Sequence, residues 1–159
     1  MICIIGLLLG FVQAGFAESS KVKEDIPLNA KALLKQVPKK AVKFNIFQAS
    51  KAARAWLKLM DDKEYGKCWS MASPMIKKVI SEKAFIEQAE RSRQPLGTFK
   101  KREVVFIEPK TELPGAPKGQ YVLITFKSQF NNKQEGASEM LMMQREQDNE
   151  WRVAAYFIH

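Results

Sequence analysis

The stretch from Arg93 to Phe157 constrains the fold most, because it has the pattern of four strands separated by turn residues. Valine, isoleucine, phenylalanine, tyrosine and threonine are enriched there or alternate with polar residues, as in strands with one buried face. The strands are predicted at residues 99–108, 119–130, 137–147 and 150–158. Their connections predict a long first loop, a hairpin loop at residues 131–136 and a tight turn at Asp148-Asn149. The segment therefore predicts an antiparallel meander.

Four helical segments are predicted ahead of the strands. The first has apolar residues at helical spacing and ends at the Asp61-Asp62 pair. A second begins at Tyr65, a third at Pro74, and a fourth after Ser81, which has the character of an N-cap. Their apolar stripes need a partner surface, and the strands supply one. Because the helices precede the strands instead of alternating with them, the predicted fold class is α+β, with N-terminal helices packed on a four-stranded antiparallel sheet.

Residues 1–17 have the composition of a secretory signal peptide. They carry no charge, contain an apolar run from Ile2 to Val12, and end with small residues on either side of Phe16. A membrane anchor is the alternative, but an anchor needs about 20 apolar residues and this run is shorter. We therefore expect cleavage after Ala17 and export to the periplasm or the medium, with no integral membrane segment in the mature chain.

Residues 18–46 are predicted to form a basic, poorly structured tether, and residues 47–159 a single domain. The chain has 26 basic and 17 acidic residues, a net charge of +9, which favours anionic partners. Nucleic acid is not expected as the partner, because the sequence has no recognition motif and the leader directs export. Solubility alone is the other explanation of this charge.

The sequence contains no catalytic or metal-ligating constellation, so no catalytic residue, metal or cofactor is predicted. The single histidine is the terminal residue His159, and cleavage of the leader would leave Cys68 as the single cysteine. Cys68 lies on the apolar stripe of the second helix, which favours a buried thiol over an intermolecular disulfide. Phosphate-binding loops, nucleophile elbows and dinucleotide fingerprints are absent from the sequence.

Two groups of side chains leave some chemistry open. Four glutamates lie in or beside the strands: Glu103, Glu108, Glu112 and Glu139. Such a carboxyl suits acid–base catalysis if burial raises its pKa. Alternation puts Glu108 in line with Val104 and Phe106, although a glutamate that reaches solvent at the strand end is the favoured interpretation. Met140 and Met142 share one strand face and would suit copper(I), but methionine more commonly fills a core.

A set of short motifs in fixed order resembles one bacterial family, catalogued as domain of unknown function 4019. The residues that carry the resemblance are Arg93-Gln-Pro-Leu-Gly97, Arg102, Leu113 to Tyr121 and Trp151 to Tyr156, preceded by Ala53, Trp56, Leu57, Tyr65 and Trp69. The resemblance covers residues 47–159. It implies a secreted module with a curved sheet, similar to the cystatin-like or nuclear-transport-factor-like roll, and it implies no particular activity.

Arg93 and Arg102 are the leading candidates for ligand binding, because they flank the turn between the helices and the sheet. A guanidinium group can clamp a carboxylate or phosphate with two hydrogen bonds. The alternative is that they cap a helix end and form surface ion pairs. Tyr121 is the third candidate, as a wall of a pocket between helices and sheet.

Three functional hypotheses follow from the sequence. The first is a non-enzymatic exported module that binds an anionic or amphipathic ligand or an envelope protein. The second is a small pocket enzyme of the isomerase or dehydratase type, which would use one carboxyl with a raised pKa. The third is a homodimerisation module that buries its sheet face.

Overall fold

The computed structural model describes residues 2–3 and 45–159, so the predicted leader and tether lie almost entirely outside the described residues. The helices are α1 Ile46–Asp61, α2 Tyr65–Met71, α3 Pro74–Lys77 and α4 Glu82–Arg93, followed by a 3-10 turn at Gln94–Leu96. The strands are β1 Ile2–Cys3, β2 Phe99–Lys110, β3 Tyr121–Phe130, β4 Lys133–Arg145 and β5 Trp151–Ile158. Helices followed by an antiparallel four-stranded meander confirm the predicted α+β fold.

The helices begin where the sequence supplies capping side chains. Asn45 precedes α1 and its side-chain oxygen accepts a hydrogen bond from the Gln48 amide at 3.4 Å. Ser73 caps α3, and Ser81 caps α4 by accepting from the Ala84 amide at 3.3 Å. Each cap satisfies an amide that has no partner within its helix. Helix α1 starts at Ile46, one residue before the predicted start of the domain.

The sheet has the strand order β1-β5-β4-β3-β2, and all its pairs are antiparallel. Strands β2 to β5 follow one another as a meander. The two residues of β1 add to the far side of β5, where Cys3 pairs with Phe157. The strand β2 forms the opposite edge of the sheet.

The hairpin between β3 and β4 is tighter than the sequence predicts. The prediction of a loop over residues 131–136 is wrong, because the turn is the pair Asn131-Asn132 and β4 already begins at Lys133. The register of the pair shifts between Ser128 and Phe130. At this point Gly136 has a φ of 83°, and a Cβ added to it would lie 2.9 Å from the Ser128 carbonyl oxygen. Only glycine fits this bulge without strain. Because glycine and polar residues are also typical of loops, the sequence of residues 133–136 resembles a loop although these residues belong to β4.

A second irregularity in β2 changes which side chains face the core. The register shifts between Val104, which pairs with Phe126, and Phe106, which pairs with Thr125. Val104 is buried, whereas the Phe106 side chain is on the opposite face and the residue is 49% exposed. The placement of Glu108 in line with both residues is therefore wrong. Its carboxylate lies 2.5 Å from the Lys110 ammonium and is partly exposed, which confirms the favoured interpretation of a glutamate that reaches solvent.

The core lies between the helices and one face of the sheet, which we call the inner face. The Trp56 ring of α1 packs edge-on against Phe85 of α4 and Tyr156 of β5, with ring centroids 6.3 and 5.2 Å apart. The Trp56 indole also donates to the Cys68 carbonyl at 2.9 Å, which joins α1 to α2. Cys68 is a free, fully buried thiol, and burial raises its pKa to about 12. Within residues 45–159, the opposite, outer face of the sheet carries no helix of comparable length.

Candidate functional site

The structure brings together Arg93 and Arg102, which lie on either side of the turn between helices and sheet. Arg93 is the last residue of α4, Arg102 lies near the start of β2, and both guanidinium groups meet the carboxylate of Asp61 at the end of α1. Arg102 contacts Asp61 through two nitrogens, at 2.8 and 3.0 Å. The two arginine side chains are only 4% and 7% exposed. They are therefore neither surface ion pairs nor open to a ligand from solvent.

Glu139 completes this arrangement from the middle of β4. Its carboxylate accepts hydrogen bonds from Arg93 Nη1 at 2.5 Å, from Arg102 Nε at 2.7 Å and from the Tyr156 hydroxyl at 2.5 Å, and also from the Ser128 hydroxyl. We call Asp61, Arg93, Arg102, Glu139, Ser128 and Tyr156 the charge cluster. The Glu139 side chain is fully buried. Its two oxygens are occupied by four donors, so the carboxylate has no free position for a substrate.

The two arginines of the cluster keep the Glu139 carboxylate ionised. Burial by itself would raise the pKa of Glu139, but the charges of Arg93 and Arg102 outweigh burial and hold this pKa below its ordinary value. Burial raises the pKa of the Tyr156 hydroxyl, as does the neighbouring Glu139 charge, so that hydroxyl remains a donor. Two guanidinium groups and two carboxylates leave the cluster without net charge.

Aromatic rings shield the two arginines. The Arg102 guanidinium lies 4.3 Å from the centre of the Phe99 ring, and the Arg93 guanidinium lies 4.9 Å from that of Phe130. A cation over a ring face is stabilised most where water is excluded. The cluster is thus a closed, fully paired element that ties α1 and α4 to the sheet. The prediction that its arginines bind a ligand stays a prediction, and such a ligand would have to displace a buried carboxylate.

A second candidate site lies on the outer face of the sheet. A groove of about 1330 Å³ opens there, and we call it the outer groove. Its floor is apolar and consists of Leu123, Met140, Met142, Ala155 and Phe157. One wall is the loop between β2 and β3, at residues 113–119, and the other is the segment from Ser70 to Val79. Residues 144–148 and Arg152 close one end. Sequence reasoning missed the groove, because its walls come from loops that only the fold brings to one face.

Tyr121, the third predicted ligand residue, supports a wall of this groove from below. Tyr121 is fully buried, and its hydroxyl donates a hydrogen bond to the Pro117 carbonyl at 2.7 Å. A Cβ at Gly119 would lie 3.4 Å from the Tyr121 ring, so the loop packs directly on it. Burial raises the pKa of Tyr121, which keeps the hydroxyl protonated as a donor. Tyr121 thus fixes the loop between β2 and β3.

The rim of the outer groove carries a surplus of positive charge. Five basic and two acidic residues line it, which gives a net charge of +3: Lys77, Lys78, Lys118, Arg145, Arg152, Glu146 and Asp148. Lys118 and Arg152 are paired with carboxylates, at 2.9 and 2.6 Å respectively. Among the described residues, no carboxylate lies within ion-pair distance of Lys77, Lys78 or Arg145.

The fold and the two sites define a small α+β domain with a buried charge cluster and an open outer groove on its sheet. The chain belongs to the family described as "Protein of unknown function (DUF4019)", whose model matches residues 52–156, as the sequence motifs predicted. None of the curated proteins and none of the solved structures matches the chain. Within the part of the chain that the structure describes, no helix is long and apolar enough to cross a membrane.

Proposed function

We propose that this domain is a non-enzymatic binding module that works outside the cytoplasm and holds an amphipathic ligand in the outer groove. The observation that carries the proposal is the groove itself, a concavity with an apolar floor and a basic rim. Ligand sites in proteins combine these two features, an apolar lining with a few polar groups that orient the ligand. The uncharged apolar leader supports export, and the net charge of +9 supports an anionic component in the ligand.

The form of the groove favours an extended ligand over a compact metabolite. Its volume of about 1330 Å³ exceeds the range of roughly 300–1,000 Å³ that is typical of small-molecule sites. Its floor is a sheet surface of thioethers and methyl groups with the Phe157 ring, which makes shape-tolerant apolar contacts. An apolar chain that lies along this floor would fill the groove better than a small polar molecule.

The alternative, a pocket enzyme that uses a carboxyl with a raised pKa, receives less support. Glu139, the buried carboxylate of the cluster, has a lowered pKa. In the groove, the hydrogen bond from Arg152 lowers the pKa of Asp148 to about 2. Both shifts favour the ionised form, which is the opposite of what a general acid requires at neutral pH.

Native mass spectrometry of the protein, expressed from its complete sequence and purified without detergent, tests the proposal. We expect an adduct that denaturation releases. The change Met142→Glu places a charge on the groove floor and should abolish the adduct, and Ala155→Leu should reduce it by filling the floor. Phe106→Glu is the matched control, because this exposed residue of the outer face lies outside the groove.

Three results would count against the proposal. An adduct that persists in both groove variants would place the ligand elsewhere. A wild-type protein without adduct that also fails to bind an apolar fluorescent probe would remove the binding function. Turnover of a candidate substrate that is lost when a single glutamate becomes glutamine would favour the enzyme.

A further inference from the structure

We infer that the ligand of the outer groove is a single-chain amphiphile with an anionic head, and that the head lies at the end formed by α3 and the turn between β4 and β5. This inference rests on the proposed function. It assigns the apolar chain to the sheet floor and the anionic group, a carboxylate or a phosphate, to Lys77, Lys78 and Arg145.

One end of the groove is basic, whereas its floor is uncharged. Ser73, which caps α3, has its hydroxyl oxygen 2.6 Å from a Glu146 carboxylate oxygen and its amide bonded to the Val153 carbonyl at 2.9 Å. These contacts hold α3 against the ends of β4 and β5. Lys77 and Lys78 at the end of α3 and Arg145 at the end of β4 therefore belong to one region. The floor, by contrast, has no charged side chain: Leu123, Met140, Met142, Ala155 and Phe157.

The cations at this end are held in place. The Lys77 ammonium donates to the Ser70 carbonyl at 2.5 Å and lies 5.2 Å from the centre of the Trp69 ring. The Arg145 guanidinium donates one hydrogen bond to the Gln120 side chain at 3.1 Å, while its buried Nε has no hydrogen-bond partner among the described residues. An arginine with donors to spare, positioned by its neighbours, loses little side-chain entropy when it binds an anion.

The local acidic residues do not neutralise this region. Asp148 is held by Arg152 in two hydrogen bonds, at 2.8 and 2.6 Å, and Glu146, which accepts a hydrogen bond from the uncharged Ser73 hydroxyl, offsets only one of the three charges of Lys77, Lys78 and Arg145. Lys78 is exposed and, among the residues that the structure describes, has no carboxylate within 4 Å. An anionic head would supply the missing counter-charge, and an apolar chain attached to it would reach the floor.

Fluorescence titration with cis-parinaric acid and with its uncharged methyl ester tests the inference on the full-length protein. We expect saturable binding of the acid, and binding of the ester that is weaker by about tenfold, the effect of one or two charge-assisted contacts. The double variant Lys77→Gln/Lys78→Gln should weaken the binding of the acid by about the same factor and leave the binding of the ester unchanged. Lys51→Gln/Lys127→Gln is the matched control, since both lysines are exposed outside the groove and the loss of net charge is identical.

Each other outcome overturns the inference. Equal binding of acid and ester, unaffected by the lysine variants, would leave an apolar binding module without head-group selection, so the proposed function would survive. Equal weakening by both double variants would reduce the effect to net charge. A ligand-free dimer by sedimentation that binds neither probe would assign the groove to a second copy, which would also remove the proposed function.

Competition distinguishes the two sources of such a ligand. Palmitate displaces the probe if the head is a free carboxylate, and lysophosphatidylglycerol displaces it if the head is a phosphate. If neither compound displaces the probe when present in large excess over it, the inference is contradicted.

Discussion

Replacing Glu139 with glutamine should destabilise the domain strongly, because it removes one charge from a closed and neutral cluster. The side chain is fully buried, and its two oxygens accept from Arg93, Arg102, Ser128 and Tyr156. Glutamine keeps the shape, but its amide nitrogen is a donor and would face other donors. The two guanidinium groups would then share the single carboxylate of Asp61.

The size of the effect follows from the burial of the group. Breaking a buried ion pair by removing one partner costs about 3–5 kcal/mol, because the other charge is left uncompensated away from water. Small domains have a free energy of unfolding of only about 5–15 kcal/mol. The variant should therefore lose a large share of its stability, with a melting temperature lower by roughly 10–20 °C.

Urea unfolding, followed by tryptophan fluorescence and circular dichroism, measures the loss. Trp56 reports directly, since its ring contacts Tyr156 of the cluster. Glu103→Gln is the matched control, because this glutamate is 48% exposed and lies 3.7 Å from the Lys101 ammonium, so it should cost less than about 0.5 kcal/mol. A loss below about 1 kcal/mol for Glu139→Gln would refute the reasoning, since it would mean that the arginines are solvated or paired elsewhere.

A double-variant cycle separates charge balance from lost packing. Arg102→Gln/Glu139→Gln removes one charge of each sign and leaves Arg93 paired with Asp61. The double variant should be more stable than the sum of the single losses predicts, with a coupling of about 0.5–3 kcal/mol. Simple additivity would show that the two residues act independently, in conflict with their contact at 2.7 Å.

Two further predictions concern titration and reactivity. Because the native state lowers the pKa of Glu139, its contribution to stability is complete above the ordinary carboxyl pKa of about 4.3 and is lost as the pH falls through the lower native value. Urea midpoints measured from pH 7 to pH 2 should therefore fall less steeply for Glu139→Gln than for wild type, and parallel curves would contradict this. In a Cys3→Ser chain, burial and the raised pKa of Cys68 should make its reaction with a disulfide reagent more than about 100-fold slower than that of a free thiol until urea unfolds the domain. Fast labelling in native buffer would show that α2 opens readily.

Periodicity predicted the element types, because each helix and strand buries one face and that face repeats at 3.6 or 2 residues. It failed where an extra residue breaks the period. The bulge after Val104 reversed the assignment of Phe106, and the glycine bulge at Gly136 looked like part of a loop. Bulges depend on the register with the neighbouring strand, which a single strand's sequence does not contain.

The charge cluster was half visible in the sequence. Arg93 and Arg102 were chosen for their position at the junction between helices and sheet, whereas Glu139 was considered only as a possible acid–base carboxyl and not as their partner. The sequence did contain a signal for Glu139. It lies two residues from Ala137 and from Leu141, both of which face the core, so it is a charged residue on the apolar face of the strand. Asp61 gave no comparable signal, because an acidic residue at the end of a helix is usually solvated. Pairing between residues 61, 93, 102 and 139 is a property of the tertiary fold.

The pattern of ion pairs in the charge cluster affects how the domain unfolds. Asp61 and Arg93 lie at the ends of α1 and α4, and Arg102 and Glu139 lie on β2 and β4, so each layer holds one charge of each sign. Two of the four ion pairs, Arg93–Glu139 and Arg102–Asp61, nevertheless cross between the helical layer and the sheet. Separating the helices from the sheet would break both crossing pairs and leave the Glu139 carboxylate with Arg102 as its one cationic partner in the cluster. A half-assembled intermediate, with the sheet formed and the helices detached, would be penalised electrostatically as well as by its exposed apolar face. The cluster thus acts as a cooperativity device, which favours loss of both layers in one transition over stepwise unravelling.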